Sequence, residues 1–288
     1  MVPCLSETEF DLFRHLIKKH VGISFSPKKR STLQRKLASR LSRLGIKSYD
    51  AYYRYLFHDK QGGWELRQLI NTITVDQTAF FRHSKQFELL ANVVLPQIAT
   101  QKNTTKKLRI WAAGCATGQE VYSIAMVVDE MFKGNGTWDI KILATDIDTD
   151  ALKFAYKGLY PRGSSQQIPS EYLNKYFMNK TVKDAKFYLV RRGLRKNILF
   201  RRLNIVHFDF SFKSPVDIVF CRNVMIYFSG EVKKELIANF FRVLDRDGFL
   251  CLGASESLVG IDERFALVGY STYQKTGQGF CTDFTAIS

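Results

Sequence analysis

The first stretch of this sequence that could bind a ligand is a glycine-containing turn between an apolar strand and a helical pattern. It runs from Leu108 to Glu120, and its turn contains Gly114 and Gly118. A strand, a glycine turn and a helix form the first half of a nucleotide-binding α/β unit. Because glycine has no Cβ, a ligand can approach its backbone closely. We therefore expect Gly114 to lie beside a bound cofactor.

The spacing of the glycines restricts the class of ligand. The pattern is G-x-x-x-G rather than the dinucleotide pattern G-x-G-x-x-G, and the Gly-Lys-Ser/Thr of a phosphate loop does not follow. The sequence thus points away from phosphate-rich ligands and towards a nucleoside without a phosphate, of which S-adenosylmethionine is the common case. A purely structural turn of small residues fits the spacing equally well, so both interpretations stay open at this stage.

Polar residues also follow two later apolar strands. Asp146 ends the second strand, where an acidic side chain can accept both ribose hydroxyls, although it comes about 30 residues after Gly114 and the usual spacing is about 20. We expect Asp146 to bind ribose, with helix capping as the alternative, and Asp148 to cap the following helix. The third strand ends at Arg222-Asn223. A buried arginine needs a carboxylate or an anionic ligand beside it.

A basic helix near the N-terminus is the main candidate for a docking surface. No acidic residue occurs between Ser24 and Lys47. Leucines form the apolar stripe of this helix. We expect four cations to share another face: Lys29, Lys36, Arg40 and Arg43. A solvated face is the simpler interpretation, but a soluble helix commonly uses acidic partners at i,i+4, which are missing here. Aromatic residues are not interleaved, which disfavours single-stranded nucleic acid.

Composition and charge limit the class of protein. The 288 residues carry a net charge of +16, which favours an acidic partner. No apolar run reaches the roughly 18 residues of a membrane span, and the N-terminus lacks a secretion signal. The five cysteines form no C-x-x-C motif, so neither a metal site nor a disulfide framework is indicated. We expect a cytoplasmic protein without membrane insertion.

Hydropathy patterns divide the chain into two domains. Residues 1–95 show helical periodicity, whereas residues 96–288 alternate apolar strands with helices, as in an α/β domain. Within the second domain, residues at about 170–205 show short strands with basic turns between them. We expect this segment to be a small antiparallel β-subdomain inserted in the larger domain.

Four motifs, taken together, resemble the CheR family of chemotaxis receptor methyltransferases. They are TAFFR at Thr78–Arg82, AGCATGQE at Ala113–Glu120, ATDID at Ala144–Asp148 and FCRNVMIYF at Phe220–Phe228. Their order and spacing also match, and the similarity extends to Gly253–Glu256. The resemblance therefore covers nearly the whole chain.

The resemblance implies a helical N-terminal domain, a Rossmann-like methyltransferase domain and an inserted β-subdomain. It implies transfer of a methyl group from S-adenosylmethionine to glutamate side chains of cytoplasmic chemoreceptor helices, with S-adenosylhomocysteine as product. The enzyme would be a monomer recruited to receptor arrays, with no nucleic-acid partner.

Site residues are also implied by the resemblance. The family positions that contact the cofactor correspond to Asp76, Thr78, Arg82, Glu120, Asp146, Asn204, Ile205, Arg222 and Asn223. The positions of Arg82 and Tyr227 lie beside the transferred methyl group in the family. Two residues depart from the family pattern, since Asp76 replaces the usual Asn and Ala254 replaces a common His.

Methylation of a glutamate needs no general base. The free carboxylate, with a pKa near 4.3, is already ionised at pH 7, so the enzyme must position and desolvate two groups. Arg82 can hold the attacking carboxylate as a bidentate partner, and Tyr227 can orient it with one hydrogen bond. Glu120 is placed to take the amino group at the methionine end of the cofactor.

Two other functions compete with protein methylation. The net charge of +16 suggests a nucleic-acid methyltransferase, but the segment Arg222–Phe228 lacks the prolines of the Asn/Asp-Pro-Pro-Tyr/Phe motif typical of base methylation. A non-catalytic cofactor-binding adaptor is the third hypothesis. The joint presence of Arg82, Asp146, Arg222 and Tyr227 argues against it.

Overall fold

The computed structural model describes residues 4–74, 77–134, 137–207 and 212–276. The chain divides into two compact units, one of Met1–Val75 with Tyr227–Lys233 and the other of Asp76–Ile226 with Lys234–Ser288. This division lies at residue 75, whereas the sequence pattern placed the end of the helical domain at about residue 95. The helices of residues 84–101 pack with the sheet of the second unit, and their periodicity alone does not reveal that.

The first unit is built from four helices. They are α1 (Glu7–Val21), α2 (Arg30–Leu44), α3 (Tyr49–His58) and α4 (Gly62–Ile73). Ser6 caps α1 in a reciprocal capping box with Glu9. A short 3-10 turn at Pro27–Lys29 precedes α2. Aromatic packing joins the helices, since the rings of Phe13 and Tyr52 stack with centroids 5.9 Å apart.

Two glycines lie at the junction of α3 and α4. Gly62 and Gly63 form the first turn of α4, after α3 has ended at His58. A Cβ on Gly62 would come within 2.4 Å of the carbonyl oxygen of Leu56. Glycine is thus required here because α3 and α4 approach each other closely, not because the helix needs a stop signal.

The second unit contains the strands and most of the remaining helices. The strands are β1 (Lys107–Ala113), β2 (Asp139–Asp146), β3 (Leu159–Pro161), β4 (Phe177–Val182), β5 (Ala185–Val190), β6 (Ile198–Arg202), β7 (Val216–Cys221), β8 (Leu244–Leu252), β9 (Phe265–Gly269) and β10 (Thr272–Lys275). The helices that follow α4 are α5 (Ser84–Leu89), α6 (Leu95–Gln101), α7 (Gln119–Phe132), α8 (Thr149–Lys157), α9 (Ser170–Tyr176), α10 (Arg192–Arg195) and α11 (Gly230–Val243). A π-helical segment, Leu90–Val94, joins α5 to α6.

The main sheet has the Rossmann-like order β6-β2-β1-β7-β8-β10-β9. The first five strands run parallel, and β10 and β9 are antiparallel additions. Because β1 lies between β2 and β7, the strand order reverses there. Ligands of such sheets bind outside the carboxyl ends of the strands at this reversal point.

Burial on both faces explains why the central strands are continuously apolar. All six residues of β7 are buried, as expected for a parallel sheet covered by helices on each side. Trp111 of β1 is fully buried, and its indole N–H donates to Thr145 Oγ1 at 2.8 Å. The core therefore holds the ends of β1 and β2 in fixed register.

The small antiparallel sheet confirms the predicted subdomain but shifts its bounds. Its order is β3-β5-β4, so its strands span residues 159–190 rather than about 170–205. The segment Ile198–Arg202 belongs to the main sheet, where Ile198 pairs in parallel with Ile142 of β2. As an edge strand with exposed residues, β6 lacks the continuous apolar pattern that identifies a parallel strand.

The C-terminal part of the sheet differs further from expectation. The segment Asp245–Gly248 lies within β8, where the register with β7 shifts and Asp247 has a φ of 61°. The hairpin of β9 and β10 was not predicted. Within the described ranges, none of the helices combines the length and the apolarity that crossing a bilayer requires.

Candidate active site

Four parallel strands end beside one another on the predicted ligand side of the sheet. Asp146 is the last residue of β2, Gly114 follows β1, and Arg222 follows β7. On the other flank, Asn204 and Ile205 come after β6, which is tied to β2 because Leu203 N–H donates to the Asp146 carbonyl at 3.0 Å. The order β6-β2-β1-β7 thus brings most of the predicted cofactor residues to one edge.

The Asp146 carboxylate is a buried acceptor that organises this edge. It is 8% exposed, and it accepts hydrogen bonds from Ala116 N–H at 2.8 Å and Asp148 N–H at 2.9 Å. Burial raises the pKa of Asp146 to about 6, although these hydrogen bonds oppose the shift. Asp148 caps α8 by accepting from the backbone of Asp150 and Ala151, which confirms its predicted role. Ribose binding by Asp146 stays a prediction.

The two glycines of the turn allow neighbouring side chains of the protein to pack closely against it. Gly114 has a φ of +84°, and a Cβ there would lie 2.5 Å from Cγ2 of Val224. Gly118 has a φ of +94°, and a Cβ there would lie 2.7 Å from the Ala155 side chain. The turn is also braced by Tyr160, whose hydroxyl donates to the Thr117 carbonyl at 2.7 Å. Close packing therefore accounts for both glycines, and a contact of Gly114 with the cofactor remains a prediction.

Arg222 forms a buried ion pair at the end of β7. Its side chain is 1% exposed, and Nη1 donates to Glu120 Oε2 at 2.7 Å. Nη2 donates to the main-chain oxygen of Arg82 at 2.6 Å. Burial raises the pKa of Glu120, while the charge of Arg222 opposes that shift. The carboxylate that the buried arginine requires is thus Glu120.

The turn that carries Arg82 has an unusual backbone. Both neighbours adopt left-handed conformations, with φ of 50° at Phe81 and 61° at His83. The half-buried Arg82 side chain donates from Nη1 to the Gln77 carbonyl at 3.1 Å. Burial, together with the charges of Arg222 and Arg82, lowers the pKa of His83 and so favours its neutral imidazole.

Glu256 organises the loop after β7, a role that its position in the sequence does not reveal. Its Oε2 accepts from the backbone N–H groups of Gly253 at 2.7 Å and Asn223 at 2.9 Å, and its Oε1 accepts from Ile226 N–H at 3.2 Å. These bonds hold Asn223 at a φ of 60°. The available signal was an acidic residue in the short loop that follows β8 on the ligand side of the sheet.

Other predicted cofactor residues lie around the same edge or outside it. Thr78 is half-buried ahead of the Arg82 turn, Ile205 is 7% exposed, and Asn204 Oδ1 accepts from Val206 N–H at 3.2 Å. Asp76 lies outside the described residues.

Tyr227 belongs to the first unit. Its main-chain oxygen accepts from Ser24 N–H at 2.9 Å, and the Lys29 ammonium lies 5.9 Å from its ring centroid. These contacts place Tyr227 beside the start of the basic helix, among the residues of its own unit. Its predicted contact with the attacking carboxylate stays a prediction.

The four predicted docking cations have different environments. Lys29 and Arg43 are exposed. Lys36 is half-buried, and its Nζ donates to the Thr72 carbonyl at 2.6 Å near the end of α4. Arg40 is 3% exposed and forms a bidentate pair with Glu65, at 2.9 and 2.6 Å. The prediction that Arg40 lies on the docking face is therefore wrong, because α4 supplies the acid that α2 lacks.

Comparison with known proteins agrees with this geometry. The family described as "CheR methyltransferase, all-alpha domain" matches residues 8–74, and "CheR methyltransferase, SAM binding domain" matches residues 76–274. The chain belongs to the CheR methyltransferase family. It is an S-adenosylmethionine-dependent methyltransferase of chemotactic signalling.

Curated relatives match along almost their full length. The chain is 34% identical to a chemotaxis protein methyltransferase of Borreliella burgdorferi, covering 94% of this chain and 95% of the relative. It is 33% identical to a chemotaxis protein methyltransferase of Escherichia coli, covering 93% and 91%. Identity to chemotaxis protein methyltransferase 2 of Pseudomonas aeruginosa is also 33%, covering 92% of each chain.

The polar groups at the edge of the sheet fit S-adenosylmethionine. Asp146 can accept from ribose hydroxyls, and Glu120, with 13% of its side chain exposed, can accept from an ammonium group. Arg222 Nε is one of three buried side-chain polar atoms without a hydrogen-bond partner in the described part of the chain. An unpaired buried donor requires an explanation, and a ligand or ordered water that completes the network supplies one.

Proposed function

We propose that this CheR methyltransferase esterifies glutamate side chains on the cytoplasmic helices of chemoreceptors. The glutamate methyl esters would serve sensory adaptation. The observation that carries the proposal is the strained turn that presents Arg82 beside the Arg222–Glu120 pair, in a chain that belongs to this family. The curated relatives are named as chemotaxis enzymes, which supports a chemoreceptor as the substrate.

Asp146 and Glu120 would hold opposite ends of the cofactor. The Asp146 carboxylate would accept from the ribose, and Glu120 would accept from the ammonium of the methionine end while keeping its bond to Arg222. Thr78, Asn204, Ile205 and Asn223 would complete the contacts. When bound, S-adenosylmethionine supplies a methyl group on a positively charged sulfur.

Arg82 and Tyr227 would orient the receptor glutamate. The guanidinium of Arg82 would donate to the carboxylate, with Tyr227 adding one hydrogen bond, so that one carboxylate oxygen faces the methyl group. No proton needs to move, because the glutamate is already ionised, and the lowered pKa of His83 disfavours a positive charge on that residue. Positioning of two reactants can supply up to about 7–11 kcal/mol of the barrier.

The receptor would dock through the exposed cations of the first unit. Lys29 and Arg43 are exposed on or next to α2. They would attract acidic receptor helices electrostatically, and added salt would reduce the range of that attraction. Half-buried Lys36 would contribute less, and Arg40 would contribute nothing directly. We place the enzyme in the cytoplasm, as a monomer recruited to receptor arrays.

Methylation of isolated receptor fragments tests the proposal. The purified protein is mixed with radiolabelled S-adenosylmethionine and cytoplasmic receptor fragments, and base-labile methyl esters are counted. We expect label on the fragments, none on added nucleic acid, and none on fragments whose acceptor glutamates are changed to alanine. Label that resists base, or that enters nucleic acid, would overturn the assignment of the acceptor.

A further inference from the structure

We propose that Ser123 is a positioning residue that holds the strained turn carrying Arg82. This inference rests on the proposed function, because it gives Ser123 importance only through Arg82. Ser123 lies on α7, 42 residues further along the chain than Phe81. Neither the family motifs nor the spacing of chemical residues draws attention to it.

The turn needs an external restraint because its backbone is unfavourable. Phe81 and His83 both adopt positive φ, at 50° and 61°. A bulky residue in the left-handed region is a genuine outlier, and such conformations persist only where the surroundings enforce them. Without restraint, the turn would relax to a more favourable backbone conformation. The Arg82 side chain would then point in a different direction.

Ser123 supplies one restraint through a directional hydrogen bond. Its side chain is fully buried, and its Oγ accepts the Phe81 N–H at 3.0 Å. The hydroxyl hydrogen is used elsewhere, since Oγ donates to the Gln119 carbonyl at 2.8 Å. The oxygen is therefore oriented with a lone pair towards Phe81. If it were removed, a buried backbone N–H would lose its partner.

Other groups hold the turn on its opposite side. Arg222 Nη2 donates to the Arg82 carbonyl at 2.6 Å, and Gln86 N–H donates to the His83 carbonyl at 3.0 Å. The peptide group that joins Phe80 to Phe81 and the peptide group that follows Arg82 are thus both fixed, while the Arg82 side chain remains half exposed. Ser123 is the restraint on the N-terminal side.

The surroundings of Ser123 indicate that it does more than fill space in the core. The residues one turn further along α7 on the same face, Met126 and Val127, are buried and apolar. Alanine would fill the same space and is the better helix former, and a serine bonded to the i−4 carbonyl slightly destabilises a helix. The contact with Phe81 is the feature that alanine cannot reproduce.

Replacement of Ser123 tests the proposal. We expect Ser123→Ala to lower kcat for receptor methylation by between about tenfold and a hundredfold, as for a small misplacement of a reacting group. The dissociation constant for S-adenosylmethionine, measured by calorimetry, should change by less than about threefold, because Asp146 and Glu120 are untouched. Ser123→Thr keeps the hydroxyl and should recover much of the lost kcat.

A second serine serves as the matched control. Ser165 is 7% exposed, and its Oγ donates to the Arg162 carbonyl at 2.7 Å rather than bonding to the Arg82 turn. Ser165→Ala should keep the kcat of the native enzyme. An equal loss of kcat in both alanine variants would show that any buried serine matters, and it would overturn the proposal.

A double-mutant cycle separates this inference from the proposed function. If Ser123 acts through Arg82, then Ser123→Ala added to Arg82→Ala should lower kcat no further. Losses that multiply would overturn the positioning role while leaving Arg82 in place. If Arg82→Ala alone retained full activity, the proposed function of Arg82 would fail, and the inference would fail with it.

Discussion

Asp146 is a buried carboxylate whose protonation falls within an accessible pH range. Its pKa is raised to about 6 by burial, whereas an ordinary aspartate titrates near 3.9. In the free enzyme, ionisation of Asp146 therefore opposes folding. This unfavourable contribution grows as the pH rises from about 4 to about 6, and it is constant above that.

Cofactor affinity should depend on the pH through Asp146. The ionised carboxylate can accept two ribose hydroxyls, so binding should weaken as the pH falls through about 6, by up to about tenfold per pH unit. Calorimetric titration with S-adenosylhomocysteine between pH 5 and pH 8 measures the effect. Asp146→Asn cannot ionise and should bind weakly with little pH dependence. An identical pH profile in both proteins would contradict ribose binding by this carboxylate.

Arg40 should matter for stability rather than for docking. Glu65 is fully buried, and it accepts from Arg40 and from the Tyr52 hydroxyl at 2.6 Å. Removing one partner of a buried pair leaves an uncompensated charge, so Arg40→Ala should lower the free energy of unfolding by about 3–5 kcal/mol. Exposed Arg43→Ala should change it by less than about 0.5 kcal/mol. Denaturant unfolding of both variants makes the comparison, and equal losses would refute the structural role.

The loop after β7 depends on one carboxylate at the end of β8. Glu256 accepts three backbone N–H groups with two oxygens, and glutamine has only one side-chain oxygen. Glu256→Gln should leave at least one of these donors unpaired, at a cost of about 1–3 kcal/mol, and should release Asn223. We therefore expect the dissociation constant for S-adenosylmethionine to rise roughly fivefold to a hundredfold.

A neighbouring glutamate provides the control for that change. Glu263 is exposed and lies in the segment between β8 and β9. Glu263→Gln should bind the cofactor like the native enzyme. Unchanged affinity in Glu256→Gln would mean that the loop keeps its conformation without the carboxylate.

The sequence predicts elements best where an apolar pattern and a polar terminus coincide. β1, β2 and β7 each carry a buried run that ends at a predicted cofactor residue, so the sequence predicts both the strand and the side of the sheet on which a ligand would bind. β6 is an exposed edge strand, and its pattern does not distinguish it from the small sheet. The role of Glu256 and the turn at Phe81 depend on contacts between distant segments, which spacing does not encode. Arg40 was misassigned for the same reason, because Glu65 lies on another helix.

Charge is distributed over the whole molecule, which carries +16, but the proposed docking surface needs only local cations. Reversal of Lys29 and Arg43 to glutamate should raise KM for receptor fragments and leave cofactor affinity unchanged. The rise should be largest at low ionic strength, because salt screens exposed charges beyond about 10 Å at 0.1 M. Methylation rates over a range of salt concentrations measure this effect.

A charge-matched variant distinguishes local docking from net charge. Lys141 and Lys153 have side chains that are 63% and 73% exposed, and they lie in the second unit. Reversing both makes the same change in net charge as reversing Lys29 and Arg43. If the two double variants raise KM equally, receptor binding responds to total charge and α2 is only a solvated surface.

The close approach of Gly114 and Val224 links sterically the two segments that we propose hold the cofactor. The turn after β1 and the loop after β7 meet at a point where even one added carbon would lie 2.5 Å from a methyl group. Bulk at position 224 therefore limits what position 114 can accept. A larger side chain at position 224 would displace the turn from Asp146 and the loop from Glu256 at the same time. A residue that need not contact the cofactor can therefore still influence how tightly both segments would bind it.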